Sequence, residues 1–266
     1  MYGTPLIIGC DGFIGRALFQ YFDAKLLSVV GTSRRPGSSH QFLNLEEEPF
    51  LCHFPNSVGV AYLCAGITNV ATCEKDSAGT GYINVERTKL LVDKLLAQGI
   101  HVVFFSSDIA ENPTTEYGFQ KQLVEQYLQE KDATVVRLGK VISAESGLLA
   151  DWVEELEAGR PIEPWTDYYF SPITIEKVLA VLGSGEWLGG YSKILISAIN
   201  PLSYFQAIDF IAETRALDRS LIVPKSSGVT KAEEVTPDLQ FKEYRYSAWD
   251  TLTELFRANA HVHENS

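Results

Sequence analysis

Through the first half of the chain, apolar runs of β type alternate with amphipathic helical stretches. "PLIIG" (5–9) reads as a strand, and "FIGRALFQYFDA" (13–24) as a helix with Ile14, Leu18 and Phe22 on one face. "LLSVVGTS" (26–33), "GVAYLCAG" (59–66), "HVVFFSS" (101–107) and "ATVVRLGKVI" (133–142) read as further strands. Helices are expected over "GYINVERTKLLVDKLLAQ" (81–98) and "EYGFQKQLVEQYLQE" (116–130). Near-continuous apolar strands separated by amphipathic helices predict a doubly wound α/β domain, its parallel sheet covered on both faces.

After about residue 143 the rhythm changes. "LLADWVEELEAGRPI" (148–162) reads as helix up to Gly159, with Pro161 as a stop signal. "ITIEKVLAVLG" (173–183), "LSYFQAIDFIAETRAL" (202–217) and "AWDTLTELFRAN" (248–259) are further helices, with "YSKILISA" (191–198) a strand. The stretch Ser226 to Pro237 is polar and irregular, and no internal repeat or low-complexity tract occurs. The expected organisation is a main domain over 1–143, to which later segments return, and a smaller C-terminal lobe made mainly of 144–266.

At 266 residues and 45% hydrophobic, the chain can bury a sizeable core. The opening MYGTPLIIG has neither a basic leader nor a long apolar stretch, and no run approaches the roughly 20 residues that span a bilayer. Cys10, Cys52, Cys64 and Cys73 form no CxxC pair, so a reducing cytoplasm is expected. The histidines lack metal spacing, and His261 and His263 lie in a polar tail, so no metal is expected. A net charge of −12 argues against a nucleic-acid partner, yet a few placed arginines can still make a local site for a small anion.

The stretch "IIGCDGFIGRALFQ" (7–20) places Gly9, Gly12 and Gly15 three residues apart between the first strand and the first helix. Gly9 permits the tight turn, Gly12 lets amides approach a phosphate, and Gly15 allows close helix–strand packing. A pyrophosphate would then meet the helix N-terminus, where unpaired N–H groups and the helix dipole favour negative charge. The turn as a whole, with Asp11, Phe13 and Ile14 between its glycines, is the candidate cofactor cradle; a structural turn is the bland alternative. An acid about 20 residues on would favour NAD, but "GTSRRPG" offers Ser33, Arg34 and Arg35 instead. Two arginines suit a ribose 2′-phosphate, so NADP(H) is preferred, with NAD(H) the alternative.

"SSDIAENPTTEYGFQK" (106–121) carries the candidate chemistry. Tyr117 and Lys121 are spaced i, i+4, which sets both on one helix face. An ammonium near a phenol favours the phenolate, so the lysine is expected to lower the tyrosine's pKa. Ser106 and Ser107 end the preceding strand, where a hydroxyl can meet the same substrate oxygen. Such a trio suits reversible proton transfer to a carbonyl as a hydride arrives at its carbon.

The GxxGxxG turn with this Tyr–Lys pair resembles the extended short-chain dehydrogenase/reductases, and over roughly residues 5–215 the chain is similar to their dTDP-4-dehydrorhamnose reductase-like group. "CAGITNVATCEKD", "YINVERTKLL", "FFSSDIA", "YGFQKQLVEQ", "VVRLGKVI" and "EAGRPIEPWTDYYFSPITIEKVLAVL" carry the likeness. It implies a Rossmann-type doubly wound sheet with a small substrate-binding lobe, and an NADPH-dependent reductase of nucleotide-diphosphate-linked 4-keto sugars. By that resemblance Cys64, Ala65, Gly66 and Asn84 lie beside the cofactor. Ser107, not Ser106, orients the carbonyl, Tyr117 gives the proton and Lys121 holds the nicotinamide ribose. Substrate would lie near Thr68, Asp108, Arg137 and the loop around Trp165 and Asp167; Arg137 could equally be structural. A homodimer is common in that superfamily. The chain departs from the group in three places: only nine residues separate Ser107 from Tyr117, Ile109 and Ala110 replace aromatic residues, and Asn44 stands where an acid is usual. The short loop keeps a non-catalytic nucleotide-binding subunit open beside the reductase, and an epimerase is its enzymatic cousin.

Overall fold

The computed structural model describes residues 3–25, 28–47, 53–189, 192–228 and 242–257. Leu26, Leu27, Cys52, most of the Ser226–Pro237 stretch, and His261 and His263 lie outside the described residues.

Strand β1 (Thr4–Ile8) leads through the glycine turn into α1 (Phe13–Ala24), and β2 (Val30–Ser33) and the short β3 (Gln41–Phe42) follow. Next come β4 (Val58–Leu63), α2 (Val70–Lys75), α3 (Ser77–Gly81), a π-helical turn (Tyr82–Arg87) and α4 (Thr88–Leu96). Strand β5 (His101–Ser107), a 3-10 turn (Asp108–Ala110), α5 (Glu116–Leu128) and β6 (Ala133–Leu138) continue the alternation. The later chain forms β7 (Lys140–Ile142), α6 (Leu148–Glu157), β8 (Tyr169–Phe170), β9 (Pro172–Thr174), α7 (Ile175–Ser184) and β10 (Lys193–Ala198). It closes with β11 (Leu202–Ser203), α8 (Tyr204–Thr214), β12 (Lys242–Tyr246) and α9 (Ala248–Arg257).

The main sheet has eight strands in the order β12-β10-β6-β5-β4-β1-β2-β3. Strand β1 pairs in parallel with β2 on one side and β4 on the other, so that Ile8 stands opposite both Thr32 and Leu63. Strand order reverses at β1, the switch point where doubly wound sheets open a crevice at their carboxyl ends. Leu6, Ile7 and Ile8 are fully buried, as expected for a strand covered on both faces. The fold is the Rossmann-type α/β sheet that the apolar rhythm predicts.

The chain divides into two compact units: Met1–Arg137 with Leu179–Ile194 and Gln240–Lys242, and Leu138–Val178 with Leu195–Leu239 and Glu243–Ser266. The first unit's core joins Leu6, Ile8, Ala61, Leu63, Val102 and Phe104 of the sheet to Leu91, Leu95, Val124 and Leu128 of the helices. In the second, Leu149, Val153 and Leu156 of α6 join Ala207, Ile208 and Ile211 of α8 and Leu252 and Phe256 of α9. There Tyr204 stacks on Phe170 with ring centroids 4.3 Å apart, and Trp152, Trp165 and Tyr168 surround it. Helix α8 is started by a capping box between Ser203 and Gln206.

Two sequence expectations are refined. The single strand read over 133–142 is two strands broken at Gly139, because β7 leaves the main sheet to pair with β9. A Cβ at Gly139 would come within 2.5 Å of the Ser171 carbonyl, so the handover needs a glycine. The helix read over 81–98 is interrupted at its start by the π-helical turn, which the apolar periodicity does not reveal.

Trp187 is fully buried in the first unit, with its indole N–H donating to the Leu182 carbonyl at 3.1 Å. Trp187→Ala is expected to cost about 3–5 kcal/mol, measured as a fall in the urea midpoint with the cooperativity of the transition retained.

Candidate active site

The glycine turn is shaped by close backbone approaches. Gly9 has φ +94°, and a Cβ there would sit 3.0–3.1 Å from Ala65. A Cβ on Gly15 would lie 2.2 Å from the Gly9 carbonyl oxygen, so α1 can pack this tightly only through a glycine. Gly12 differs from both. Its nearest neighbour to an added Cβ is the Gly9 carbonyl at 3.7 Å, an ordinary contact, and its φ of −76° suits any residue. The protein's own packing therefore does not demand the glycine that starts α1, and among the described residues no side chain caps the start of that helix. A bare, uncapped helix start of this kind is what a bound phosphate requires.

A cavity of about 420 Å³ opens beside the turn. Of the residues expected at a cofactor, it is lined by Gly9, Asp11, Gly12, Arg34, Arg35, Cys64, Ala65 and Gly66. Phe13 is exposed, Ile14 is partly buried, and Gly15 is buried beneath the turn. Ser33 is fully buried: its hydroxyl donates to Asp11 Oδ2 at 2.6 Å and accepts from the Arg35 amide. Asp11 also pairs with Arg35 at 3.4 Å, so one arginine is drawn toward an acid of the turn itself. Asn84 does not line the cavity. It is buried, and its amide bonds both backbone groups of Ile67 at 2.8 Å. Asn44 also lines the cavity, and Thr32, Leu43, Leu45, Glu46, Ile67 and Ile83, none of them singled out from the sequence, complete the walls. Thr32 carried a usable signal: a hydroxyl on the strand next to the turn, which accepts from the Gly9 amide at 3.1 Å.

The Tyr–Lys pair stands on α5, whose first turn is capped by Thr115 accepting from the Gly118 amide. Lys121 donates to the Phe105 carbonyl at 2.7 Å, and its Nζ lies 4.6 Å from the Phe104 ring centroid and 5.5 Å from that of Tyr117. This bond ties α5 to β5 two residues before Ser107. Side chains on a strand alternate, and the two serines separate accordingly. Ser106 is buried and donates to Glu125, while Ser107 is partly exposed and donates to Asp108 at 3.0 Å.

Burial lowers the Lys121 ammonium from 10.5 to about 8, against the opposing pull of Cys64, Glu125 and Cys73. Burial also pushes the Tyr117 phenol well above its usual range, helped by Cys73 and Asp108. The expectation of a lowered tyrosine is thus reversed in this geometry: Lys121 is turned to the Phe105 carbonyl, and desolvation dominates the phenol. Cys10, Cys64 and Cys73 are free thiols, each raised by burial.

Arg137 is buried, and its guanidinium grips Glu125 with bonds of 2.8 and 2.6 Å and also pairs with Glu111. It serves the structure here, the reading the sequence left open beside substrate binding. The Glu111 pair and a bond from Gln122 to the Ala110 carbonyl at 3.2 Å pin the short loop before Tyr117. Thr68 is exposed on the loop after β4, and Asp108 begins the 3-10 turn. In the second unit Trp165 is partly buried, and Asp167 accepts from Ser226 and from the Ser227 amide, which hold its carboxyl far below the usual range. Among the described residues, no group of three or more His, Cys, Asp or Glu is placed to hold a metal ion, and no helix is long and apolar enough to cross a membrane.

The sequence signature of the NAD dependent epimerase/dehydratase family matches residues 5–170, from β1 through the glycine turn and the Tyr–Lys helix to β8. The chain belongs to that family. The match agrees with the resemblance the motifs carry, at the level of the epimerase/dehydratase family. No curated protein matches the chain. Among solved structures, a dTDP-4-dehydrorhamnose reductase from Clostridium acetobutylicum is 16% identical with a TM-score of 0.75, the alignment covering 96% of this family member and 99% of the other chain. The Bacillus anthracis dTDP-4-dehydrorhamnose reductase in complex with NADP gives 15% and 0.77, covering 97% and 100%. UDP-glucose 4-epimerase from Thermotoga maritima, with UDP-glucose, gives 18% and 0.72, covering 96% and 99%. At these identities the likeness establishes the shared fold.

The lowered Lys121 fixes a sign for stability against pH. Between about 8 and 10.5 the unfolded chain holds a proton on this lysine that the folded chain has released, so stability rises with pH across that window. Below about pH 8 the folded protein carries the full cost of a buried ammonium. Urea unfolding of the wild type and Lys121→Met from pH 7 to 10.5 is expected to show the wild type gaining relative to the variant above pH 8. A constant difference would contradict the assignment.

Proposed function

We propose that this protein is an NAD(P)(H)-dependent oxidoreductase, with NADP(H) preferred, that reduces the 4-keto group of a nucleotide-diphosphate-linked sugar. The observation that carries the reading is continuity between cavity and Tyr–Lys pair. Cys64, which lines the cavity beside the glycine turn, directly follows Leu63 of β4, which pairs with Phe104 of β5. Lys121 donates to the carbonyl of the next residue, Phe105, and its ammonium lies over the Tyr117 ring. Gly12 fits a phosphate because, among the described residues, only the Gly9 carbonyl oxygen, at an ordinary 3.7 Å, approaches the place a side chain would take there. Arg34 and Arg35 supply cations at the cavity wall for a 2′-phosphate. Similar folds hold NADP in the Bacillus anthracis reductase and UDP-glucose in the Thermotoga maritima epimerase, which supports both ligand classes.

The glycine turn and the start of α1 would hold the pyrophosphate, Arg34 and Arg35 the adenosine ribose, and Lys121 the nicotinamide ribose. When bound, the cofactor supplies the hydride. The protein's own part is the proton. With its pKa raised, Tyr117 is a neutral phenol at physiological pH and so stands loaded as the donor for reduction. Donation to the carbonyl oxygen leaves a phenolate, and the nearby Lys121 ammonium offsets that charge as it develops. Asp108 opposes the phenolate and keeps the proton in place until then. Ser107, on the face of β5 away from Glu125, orients the carbonyl.

One observation favours a second reading, a nucleotide-binding subunit without turnover. The connection from Ser107 to Tyr117 is short, and the Arg137–Glu111 pair pins it. Cofactor binding tests what the two readings share, and turnover separates them. Titration with NADPH and NADH is expected to favour NADPH, and Arg34→Ala to narrow the gap by about 10- to 100-fold, as loss of a charge-assisted hydrogen bond would. Equal binding of both cofactors by the wild type would remove the arginine argument. Tyr117→Phe is expected to lower turnover of a 4-keto nucleotide sugar by about 10²–10⁴ while leaving NADPH binding intact; unchanged turnover would exclude Tyr117 as the proton donor.

A further inference from the structure

The π-helical turn Tyr82–Arg87 sends two side chains, three residues apart, to two different loops of the cavity wall. Asn84 accepts from the Ile67 amide and donates to the Ile67 carbonyl, both at 2.8 Å. It thereby fixes the wall formed by Cys64, Ala65, Gly66 and Ile67. Arg87, only 2% exposed, donates from Nε to the Leu45 carbonyl at 2.6 Å and from its other guanidinium nitrogen to the Glu47 carbonyl. That fixes the wall formed by Leu43, Asn44, Leu45 and Glu46. Ile83, in the same turn, lines the cavity itself.

Two features make this more than ordinary packing. A buried guanidinium is costly to desolvate, and here it is directed at main-chain carbonyls of a loop that belongs to no helix and only borders the two-residue strand β3. The wide i→i+5 turn also spreads residues three apart over a larger angle than an α-helix would, so one turn can reach both loops. Asn84 is held in its turn by α5, donating to Gln120 Oε1 at 2.8 Å, while Gln120 donates to Thr80 at 2.9 Å. One wall is thereby referenced to the helix of Tyr117 and Lys121.

We propose that Arg87 is a positioning residue for the adenosine half of the dinucleotide, holding residues 43–47 at the distance from Asn84's loop that this half requires. The inference rests on the cofactor reading above and adds a residue that acts without touching the ligand. Arg87 governs the affinity of the adenosine end and leaves the proton-transfer residues undisturbed.

The test uses the full chain and 2′,5′-ADP as the probe, with Arg87→Met, which keeps the apolar stem and removes the donors, and Arg87→Lys, which restores one. Binding is measured by calorimetry, and amide hydrogen exchange is followed over residues 43–47 and over β5. The expected result is about a tenfold loss of 2′,5′-ADP affinity in Arg87→Met, partial recovery in Arg87→Lys, and faster exchange confined to 43–47. Equal affinity in all three proteins overturns the proposal, as does faster exchange throughout β5, which would mark a general loss of stability. Should Arg87→Met not fold, the proposal stands or falls on whether Arg87→Lys loses affinity with β5 still protected. A wild type that binds neither 2′,5′-ADP nor NADPH would instead bring down the cofactor reading, and this inference with it.

Discussion

At the carboxyl end of β1, a Cβ on Gly15 would come within 2.2 Å of the Gly9 carbonyl, and the rest of the candidate site depends on that approach. It sets the first turn of α1 directly over the strand end, aiming uncapped amides into the crevice where strand order reverses. Gly9 permits it by taking a positive φ and by standing against Ala65, which brings the loop after β4 to the same point. Thr32 then ties the turn to β2 through the Gly9 amide. Three parallel strands thus converge on one glycine, and the cavity is the space their loops leave. A methyl group at position 15 would separate α1 from the strand end and misplace every cavity contact made through the turn.

Deeper in the sheet, a second constraint acts through charge. Glu125 sits two helical turns after Tyr117 and one after Lys121, so the three share a face of α5. Burial raises its carboxyl, yet Arg137 grips both of its oxygens and Ser106 donates to one. Breaking such a pair by removing one partner costs far more than forming it gains, so Arg137 is not available to be released to a ligand. The same arginine reaches Glu111 and holds the loop that leads to Tyr117. The short stretch from Ser107 to Tyr117 is therefore braced from beneath by the ion pair, which explains how nine residues suffice without a longer excursion.

Much of this was legible in the residues because the strongest signals are local. Apolar runs alternating with amphipathic ones specified the sheet, and the glycine spacing specified the turn, because each is dictated by burial or backbone geometry within a few residues. Ser107 is preferred over Ser106 by the family resemblance alone; the alternation that buries Ser106 and leaves Ser107 partly exposed is seen in the structure. What escaped notice depends on long-range partners. The π-helical turn has the same apolar periodicity as its surroundings, and its effect shows only when Asn84 meets Ile67 and Arg87 meets Leu45. The break at Gly139 follows from Ser171, more than thirty residues away. Arg137 stays open between a ligand-binding and a structural role in the sequence, because its carboxylate partners lie on a loop and a helix that spacing does not connect to β6. The state of Tyr117 is hidden for the same reason: the sequence carries the proximity of Lys121 but not the desolvation that outweighs it.

A chain with a net charge of −12 is an unexpected place to seat a dinucleotide, and the resolution lies in distance. At physiological ionic strength, charges more than about 8 Å away across solvent are largely screened, so the overall excess of acids matters less than the few groups at the cavity wall. There the balance is local: Arg34 and Arg35 stand against Asp11 and Glu46, and the start of α1 adds its own positive end. Asp11 draws Arg35 toward the turn, and Ser33 bridges them through its hydroxyl and the Arg35 amide. An anion entering beside Arg35 must compete with Asp11 for it, whereas a neutral ribose faces no such competition. Under the proposed cofactor reading, any preference for a 2′-phosphate would therefore be set by Asp11 as much as by the arginines. An acid within the glycine turn would thereby temper whatever selectivity the basic loop supplies.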